Sequence, residues 1–216
     1  MHCTPATSES IAVAVELLRG GSLAIIPTDT VYGLCADVRH DRAVSAISVA
    51  KGRQPETPLQ LVFAQDMRSL DDYAILTVIA RRLVDALGPG GWTIITDAAS
   101  GWDSPALAGG RTVGIRMPAA AVVDEVVRAL RAPLVASSAN RHGEPSPGTC
   151  AQAIASVGDA CAIALDGGLT AAGLDSTVID CTAEGPRILR EGAIDRATVA
   201  RILGLSEIPV LRSVRP

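Results

Sequence analysis

Short apolar runs, each stopped by proline, glycine or a charged residue, constrain this chain most. Residues 23–26 (Leu-Ala-Ile-Ile) are apolar without a break and end at Pro27. Such a run has no polar side to turn to water, so it reads as a strand buried on both faces. Residues 59–64, 92–96, 112–115, 133–136, 161–165, 177–180 and 187–189 read as further strands.

Between these runs the apolar period changes. Ile11, Ala14, Val15 and Leu18 recur at helical spacing, with Ser8 or Ser10 as a start and Gly20-Gly21 as a stop. Asp41 opens a second helix through Ala43, Val44, Ile47 and Ala50, which leaves Lys51-Gly52 at its exit. Ile75, Ile79, Leu83 and Leu87 predict a third helix, residues 122–130 a fourth, and Asp195 caps a last one ending at Leu203. Helices alternating with doubly buried strands predict an α/β fold. Because some strands follow each other without a helix, the sheet is expected to be mixed rather than purely parallel, covered by helices. Residues 8–204 are expected to form one domain and 205–216 a C-terminal tail. The longest irregular stretches fall at 98–110 and 141–149.

Composition excludes several classes. Apolar residues are 48 % of the chain and aromatics 2 %, so the core must be built from Val, Ile, Leu and Ala. A net charge of −4 argues against a protein that coats nucleic acid, though not against a local basic cleft. The five cysteines are scattered and form no CxxC pair, so neither a zinc site nor a disulfide framework is expected. No apolar run approaches the ~18 residues of a membrane span, and a cytoplasmic location is expected.

Several chemistries lack their motif. There is no GxxxxGK[ST] phosphate loop, no GxGxxG after a strand and no GxSxG elbow. Two other stretches suit an anionic ligand. Lys51-Gly52-Arg53 sets a point charge beside a planar fork, and Ser137-Ser138-Ala139-Asn140 is a compact hydrogen-bonding loop. Arg116, at a strand end, suits a carboxylate or phosphate and equally a salt bridge. The segment Pro27-Thr28-Asp29-Thr30-Val31-Tyr32-Gly33-Leu34 is a site or a plain turn. His142 reads as a solvent-exposed structural residue.

Eight blocks occur in a fixed order: PTDTVYGL at 27–34, KGR-x4-PL at 51–59, PGGWT at 89–93, TVGIRMP at 112–118, SSAN at 137–140, GEPSP at 143–147, GLDSTVID at 173–180 and ILREGAI at 188–194. In these the chain resembles the threonylcarbamoyl-AMP synthase family, with its YrdC-like domain. The resemblance implies a twisted sheet around a basic concave cavity. It also implies an enzyme that joins L-threonine, bicarbonate and ATP into threonylcarbamoyl-AMP and pyrophosphate. A downstream threonylcarbamoyl transferase would then modify tRNA, with direct tRNA contact left open. Lys51, Arg53, Ser138 and Asn140 match the family's signature tetrad. Thr30, Arg116, Ser176 and the Ala136 backbone match its threonine contacts. Arg53, Thr57, Thr112, Ser138, Ser146 and Arg190 match its ATP contacts. Mg²⁺ is expected with the triphosphate, held by phosphates and water rather than by a protein metal site.

The chain departs from the family pattern at four places. Gln54 stands where many members carry proline, and Pro89-Gly90-Gly91 replaces PGP. Val62 replaces a histidine at a threonine contact, and Ala120-Ala121 replaces a His-Pro pair. The extra C-terminal domain of longer members is also expected to be absent. Two other readings stay open. One is a relative that adenylates a different carbamate; the other is a non-catalytic RNA-binding module.

Overall fold

The computed structural model describes residues 2–182 and 185–210. It contains strands β1 (Thr4–Pro5), β2 (Ala24–Pro27), β3 (Tyr32–Asp37), β4 (Gln60–Val62), β5 (Ala74–Ile75), β6 (Trp92–Ala98), β7 (Thr112–Arg116), β8 (Leu134–Ser138), β9 (Ile163–Asp166), β10 (Thr177–Asp180) and β11 (Arg187–Arg190). The helices are α1 (Ser8–Arg19), α2 (Asp41–Lys51), α3 (Val78–Leu87), α4 (Ala121–Leu130), α5 (Cys150–Val157) and α6 (Arg196–Leu203).

The strands form one mixed sheet in the order β1-β9-β2-β3-β8-β4-β7-β6-β10-β11, with β5 added beside β6. Pairs β2/β3, β3/β8, β8/β4, β7/β6 and β10/β11 are antiparallel, and β1/β9, β9/β2, β4/β7 and β6/β10 are parallel. The mixed α/β sheet expected from the sequence is therefore what forms. Its core is aliphatic as composition requires, with Trp92 fully buried and its indole N–H donating to Gly88 O at 2.6 Å. Helix α1 packs on α4, and α3 on α6.

Four local expectations need correction. Thr7, not Ser8 or Ser10, caps α1, and the Ser10 hydroxyl accepts in return from the Thr7 backbone. Asp41 is the first residue of α2 rather than its cap, and the cap, His40, makes no side-chain bond. The third helix starts at Val78 behind a Thr77 cap, while Ile75 belongs to β5 and is half exposed. Strand β3 and helix α5 were not expected at all. The end of the chain also returns to the sheet: Ile208 is buried, and the Ile188 N–H donates to Pro209 O at 2.9 Å. Within the tail expected at 205–216, residues 211–216 lie outside the described residues.

Helix α5 follows the irregular segment 141–149 and is only two turns long, so its cap matters. The Thr149 hydroxyl accepts from Gln152 N at 3.3 Å, and Gln152 Oε1 accepts from Thr149 N at 3.1 Å. Replacing a cap of this type costs about 1 kcal/mol. We expect Thr149→Ala to lower the melting temperature by roughly 2–4 °C. An unchanged melting curve in calorimetry contradicts a stabilising role for this cap.

Candidate active site

Side chains two apart along a strand point to the same face of a sheet. On one face of this sheet the alternating positions are Gly33 and Cys35 of β3, Leu134, Ala136 and Ser138 of β8, Gln60 and Val62 of β4, Thr112, Gly114 and Arg116 of β7, and Thr93 and Ile95 of β6. Ser176 and Val178 continue the series at β10. Together with Arg53, Asp175 and Arg190 they line a cavity of about 250 Å³. The sequence reading named seven of these lining residues (Arg53, Thr112, Arg116, Ala136, Ser138, Ser176 and Arg190), and the fold gathers them in one place.

Arg116 is almost fully buried at the end of β7. Its Nη2 donates to Asp29 Oδ1 at 2.6 Å and to Thr30 Oγ1 at 2.7 Å. Both acceptors sit in the turn between β2 and β3. Thr28 shapes that turn: its hydroxyl accepts from Thr30 N and Val31 N, each at 3.2 Å, and donates to Val31 O at 2.6 Å. Burial pulls the Arg116 guanidinium below its ordinary range, and Asp29 opposes that pull. Arginine nevertheless stays charged. Its Nε is buried and has no hydrogen-bond partner among the described residues. The salt-bridge and ligand readings of Arg116 therefore coexist: Nη2 is committed to the protein, and the residue also lines the cavity.

Arg53 stands at the other end. Its Nη2 donates to Thr57 O at 2.9 Å and Pro58 O at 3.2 Å, and its buried Nε also lacks a partner among the described residues. Pro58 precedes β4, which runs parallel to β7, so Arg53 stands on the Thr112 side of the cavity and Arg116 at the far end of the same strand. At 3.3 Å per residue Thr112 and Arg116 are roughly 13 Å apart.

Lys51 stands at the helix exit, as expected, being the last residue of α2, but it is buried and does not line the cavity. Gly52, in the left-handed region at φ 59°, ends the helix and turns the chain so that Arg53 reaches the cavity. Lys51 Nζ donates to Ser138 O at 2.5 Å and Asn140 O at 2.6 Å, so it clamps the SSAN turn from behind. Asn140 Nδ2 in turn donates to Arg141 O at 3.0 Å and Glu144 O at 2.7 Å. The four residues of the expected tetrad are thus brought together, but only Arg53 and Ser138 face the cavity.

Among the remaining expected residues, Ser146 donates to Asp175 Oδ1 at 2.9 Å and does not itself line the cavity. Thr57 is exposed, and its carbonyl supports Arg53. Arg190 Nε and Nη2 donate to Ser176 O at 3.0 and 2.9 Å, and its Nη1 lies 3.4 Å from Asp175 Oδ2. His142 is exposed as expected. Sequence reasoning missed Asp29, Asp175, Gln60 and Thr93. Asp29 and Asp175 lay inside named blocks, but nothing local marks a carboxylate as the partner of an arginine 87 or 15 residues away.

Among the described residues one cluster could hold a metal. Cys3, Cys150 and Asp166 offer ligand atoms all within 4.8 Å of one another. It lies at the β1–β9 edge, and none of the three lines the cavity. Among the described residues no helix is long and apolar enough to cross a membrane.

Burial, and after it the Arg53 cation, pull the Lys51 ammonium down to about 8. The folded value lies below the unfolded one, near 10.4. Below pH 8 the burial cost of the charge is therefore borne in full, and it is relieved as pH rises from about 8 towards 10.4. If the ammonium clamps the Ser138 turn during turnover, activity falls as pH rises through about 8 in the free protein. Lys51→Arg should remove that limb, and Lys51→Ala should slow turnover by about 10²-fold. An unaltered pH profile in Lys51→Arg contradicts this.

The family model Sua5_yciO_yrdC, described as "Telomere recombination", matches residues 16–192. A protein of Mycobacterium tuberculosis named "Putative threonylcarbamoyl-AMP synthase" is 35 % identical over 201 residues, which cover 92 % of this chain and 91 % of that protein. A Bacillus subtilis "Threonylcarbamoyl-AMP synthase" is 35 % identical over 196 residues, 90 % of this chain and 56 % of the relative. The structure titled "Crystal structure of P. abyssi Sua5 complexed with L-threonine" superposes with a TM-score of 0.89 at 30 % identity, covering 95 % of this chain and 60 % of that one. The chain therefore spans nearly all of the mycobacterial relative and under two thirds of the other two.

Proposed function

The chain belongs to the Sua5/YciO/YrdC family, and from that membership we propose that it is an L-threonylcarbamoyladenylate synthase, a nucleotidyltransferase acting on L-threonine, bicarbonate and ATP. The names of its relatives favour this over adenylation of a different carbamate and over a non-catalytic RNA-binding role. Within this reading, residues 8–204 are the catalytic unit.

The observation that carries the proposal is two guanidiniums lining opposite ends of one cavity, Arg116 almost fully buried and Arg53 partly so, each with a buried Nε that has no partner among the described residues. Two anionic groups held apart suit a reaction that joins an amino acid to a nucleotide. In this assignment Arg116 takes the threonine carboxylate through Nη1, the terminal nitrogen that Asp29 and Thr30 leave free. Thr30, Ser176 and the Ala136 backbone complete that subsite. Arg53, Thr57, Thr112, Ser138, Ser146 and Arg190 serve the nucleotide, with Ser138 held in place by Lys51 and Asn140.

The threonine amine and bicarbonate give a carbamate and water. A carbamate oxygen then bonds to the α-phosphorus, the bond to the β-phosphate oxygen breaks, and pyrophosphate leaves. No protein nucleophile is required. Reactants and leaving group are all anions, so fixed cations lower the barrier by offsetting repulsion and developing charge. Alignment of three reactants in one cavity supplies much of the rest. Mg²⁺ fits as a partner of the triphosphate. Asp175 is the carboxylate among the described lining residues, and it is already engaged by Ser146 and Arg190, so phosphates and water would supply most of the ligands. The product is a mixed anhydride, which a transferase acting on tRNA would consume.

The test is pyrophosphate release with Mg²⁺, ATP and pyrophosphatase. Release should depend on both L-threonine and bicarbonate, with an AMP-linked carbamate as product. No stimulation over ATP alone across a wide pH range contradicts the proposal.

A further inference from the structure

The floor of the cavity carries a hydrogen-bond chain that runs from β11 across to β4, five strands in all. Arg190 Nη2 on β11 donates to Ser176 Oγ at 3.2 Å. The Ser176 and Thr93 hydroxyls lie 2.8 Å apart, and Thr93 Oγ1 donates to Gln60 Oε1 at 2.7 Å. Each hydroxyl has one hydrogen. With Thr93 spending its own on Gln60, Ser176 gives its hydrogen to Thr93 and accepts from Arg190. The direction of the chain is thereby fixed, and it pins the Gln60 carboxamide by its oxygen. Both Gln60 Nε2 hydrogens are left over, without a partner among the described residues.

The link between Thr93 and Gln60 is unusual in position. Strand β7 runs between their strands, β6 and β4. Side chains two strands apart rarely meet, because neighbouring strands alone are about 4.8 Å apart. The residue between them is Gly114, paired with Gln60 on one side and Ile95 on the other. A Cβ there would lie 3.2 Å from Thr93 Cγ2 and 3.3 Å from Gln60 Cβ. The missing side chain at 114 opens the space in which the chain forms.

Gln60 also stands midway along the cavity. Its row holds Gly114 and Ala136, while Arg116 pairs with Val62 one pleat away and Ser138 lies one pleat the other way. A donor in that row faces whatever lies between the carboxylate held at Arg116 and the phosphates near Arg53 and Ser138. In the reaction proposed above, on which this inference rests, that group is the bicarbonate-derived carboxyl. We infer that Gln60 is the residue that binds it, donating from Nε2 to a bicarbonate or carbamate oxygen, with Thr93 and Ser176 as positioning residues and Gly114 as the required gap.

The test is steady-state kinetics with bicarbonate varied in carbon-dioxide-depleted buffer, together with calorimetric binding of L-threonine in its absence. Gln60→Leu removes the donor and should raise the bicarbonate KM by about 10-fold or more, as for a lost hydrogen bond to a charged group. L-threonine binding should stay within about twofold. Gln60→Glu keeps the acceptor for Thr93 but sets a carboxylate against the anion, so its bicarbonate KM should rise further. Gly114→Ala retains every polar group and should shift the same constant by displacing Gln60. A bicarbonate KM unchanged in both Gln60 variants, or a loss confined to L-threonine binding, overturns the inference while the wild-type activity leaves the functional reading standing. A wild-type protein that forms no bicarbonate-dependent product overturns both.

Discussion

The buried ion pair between Arg116 and Asp29 is the interaction on which the site depends. Taking a guanidinium out of water costs several kcal/mol unless its hydrogens find partners. Here Asp29 and Thr30 satisfy Nη2, and they do so from the turn between β2 and β3. That pairing ties the end of β7 to a loop several strands away. It also leaves the fork incompletely used, since Nε is buried without a partner among the described residues. The protein supplies part of the compensation, and in the proposed reaction the threonine carboxylate would supply more of it.

The rest of the cavity follows from strand geometry. Residues two apart on six adjoining strands meet on one face, so positions dispersed through the sequence become neighbours without any long loop to carry them. The loops then tie the rim together. The Tyr32 N–H donates to Pro147 O and the Ala139 N–H to Tyr32 O, while Ser146 reaches Asp175. Lys51 works from behind the rim. Its charge is spent on the Ser138 and Asn140 carbonyls, so the cation shapes the hydrogen-bonding turn rather than meeting a ligand directly.

The buried strands and most helices were legible because their periods are long enough to read. What was lost has local causes. Strand β3 follows a Pro-Thr-Asp-Thr segment whose turn chemistry masks the Tyr32–Asp37 run behind it. Helix α5 has only eight residues, and its signal was the Thr149–Gln152 capping box rather than periodicity. Ile75 shares helical spacing with Ile79 but pairs with Asp97 as strand, because edge pairing with β6 outweighs a one-residue pattern. The candidate site was legible as motifs, and the lining residues among them do converge. The partners Asp29 and Asp175 were not, because an ion pair is a property of the fold and not of spacing. Nor was Gln60, whose contact with Thr93 two strands away depends on the gap at Gly114 between them.

Recognition of a carboxylate by the partly satisfied Arg116 is the claim from which the rest follows. It is tested most directly by calorimetric titration of the wild-type protein with L-threonine and with L-threonine methyl ester. The ester keeps the amine, the hydroxyl and the shape but carries no charge for the guanidinium. Loss of one charged hydrogen bond corresponds to roughly 10- to 150-fold in affinity. The account predicts that L-threonine binds and that the ester binds weaker by at least about 10-fold. Equal affinity for the two would contradict it, and Arg116 would then be a structural cation with its ligand-facing edge unused.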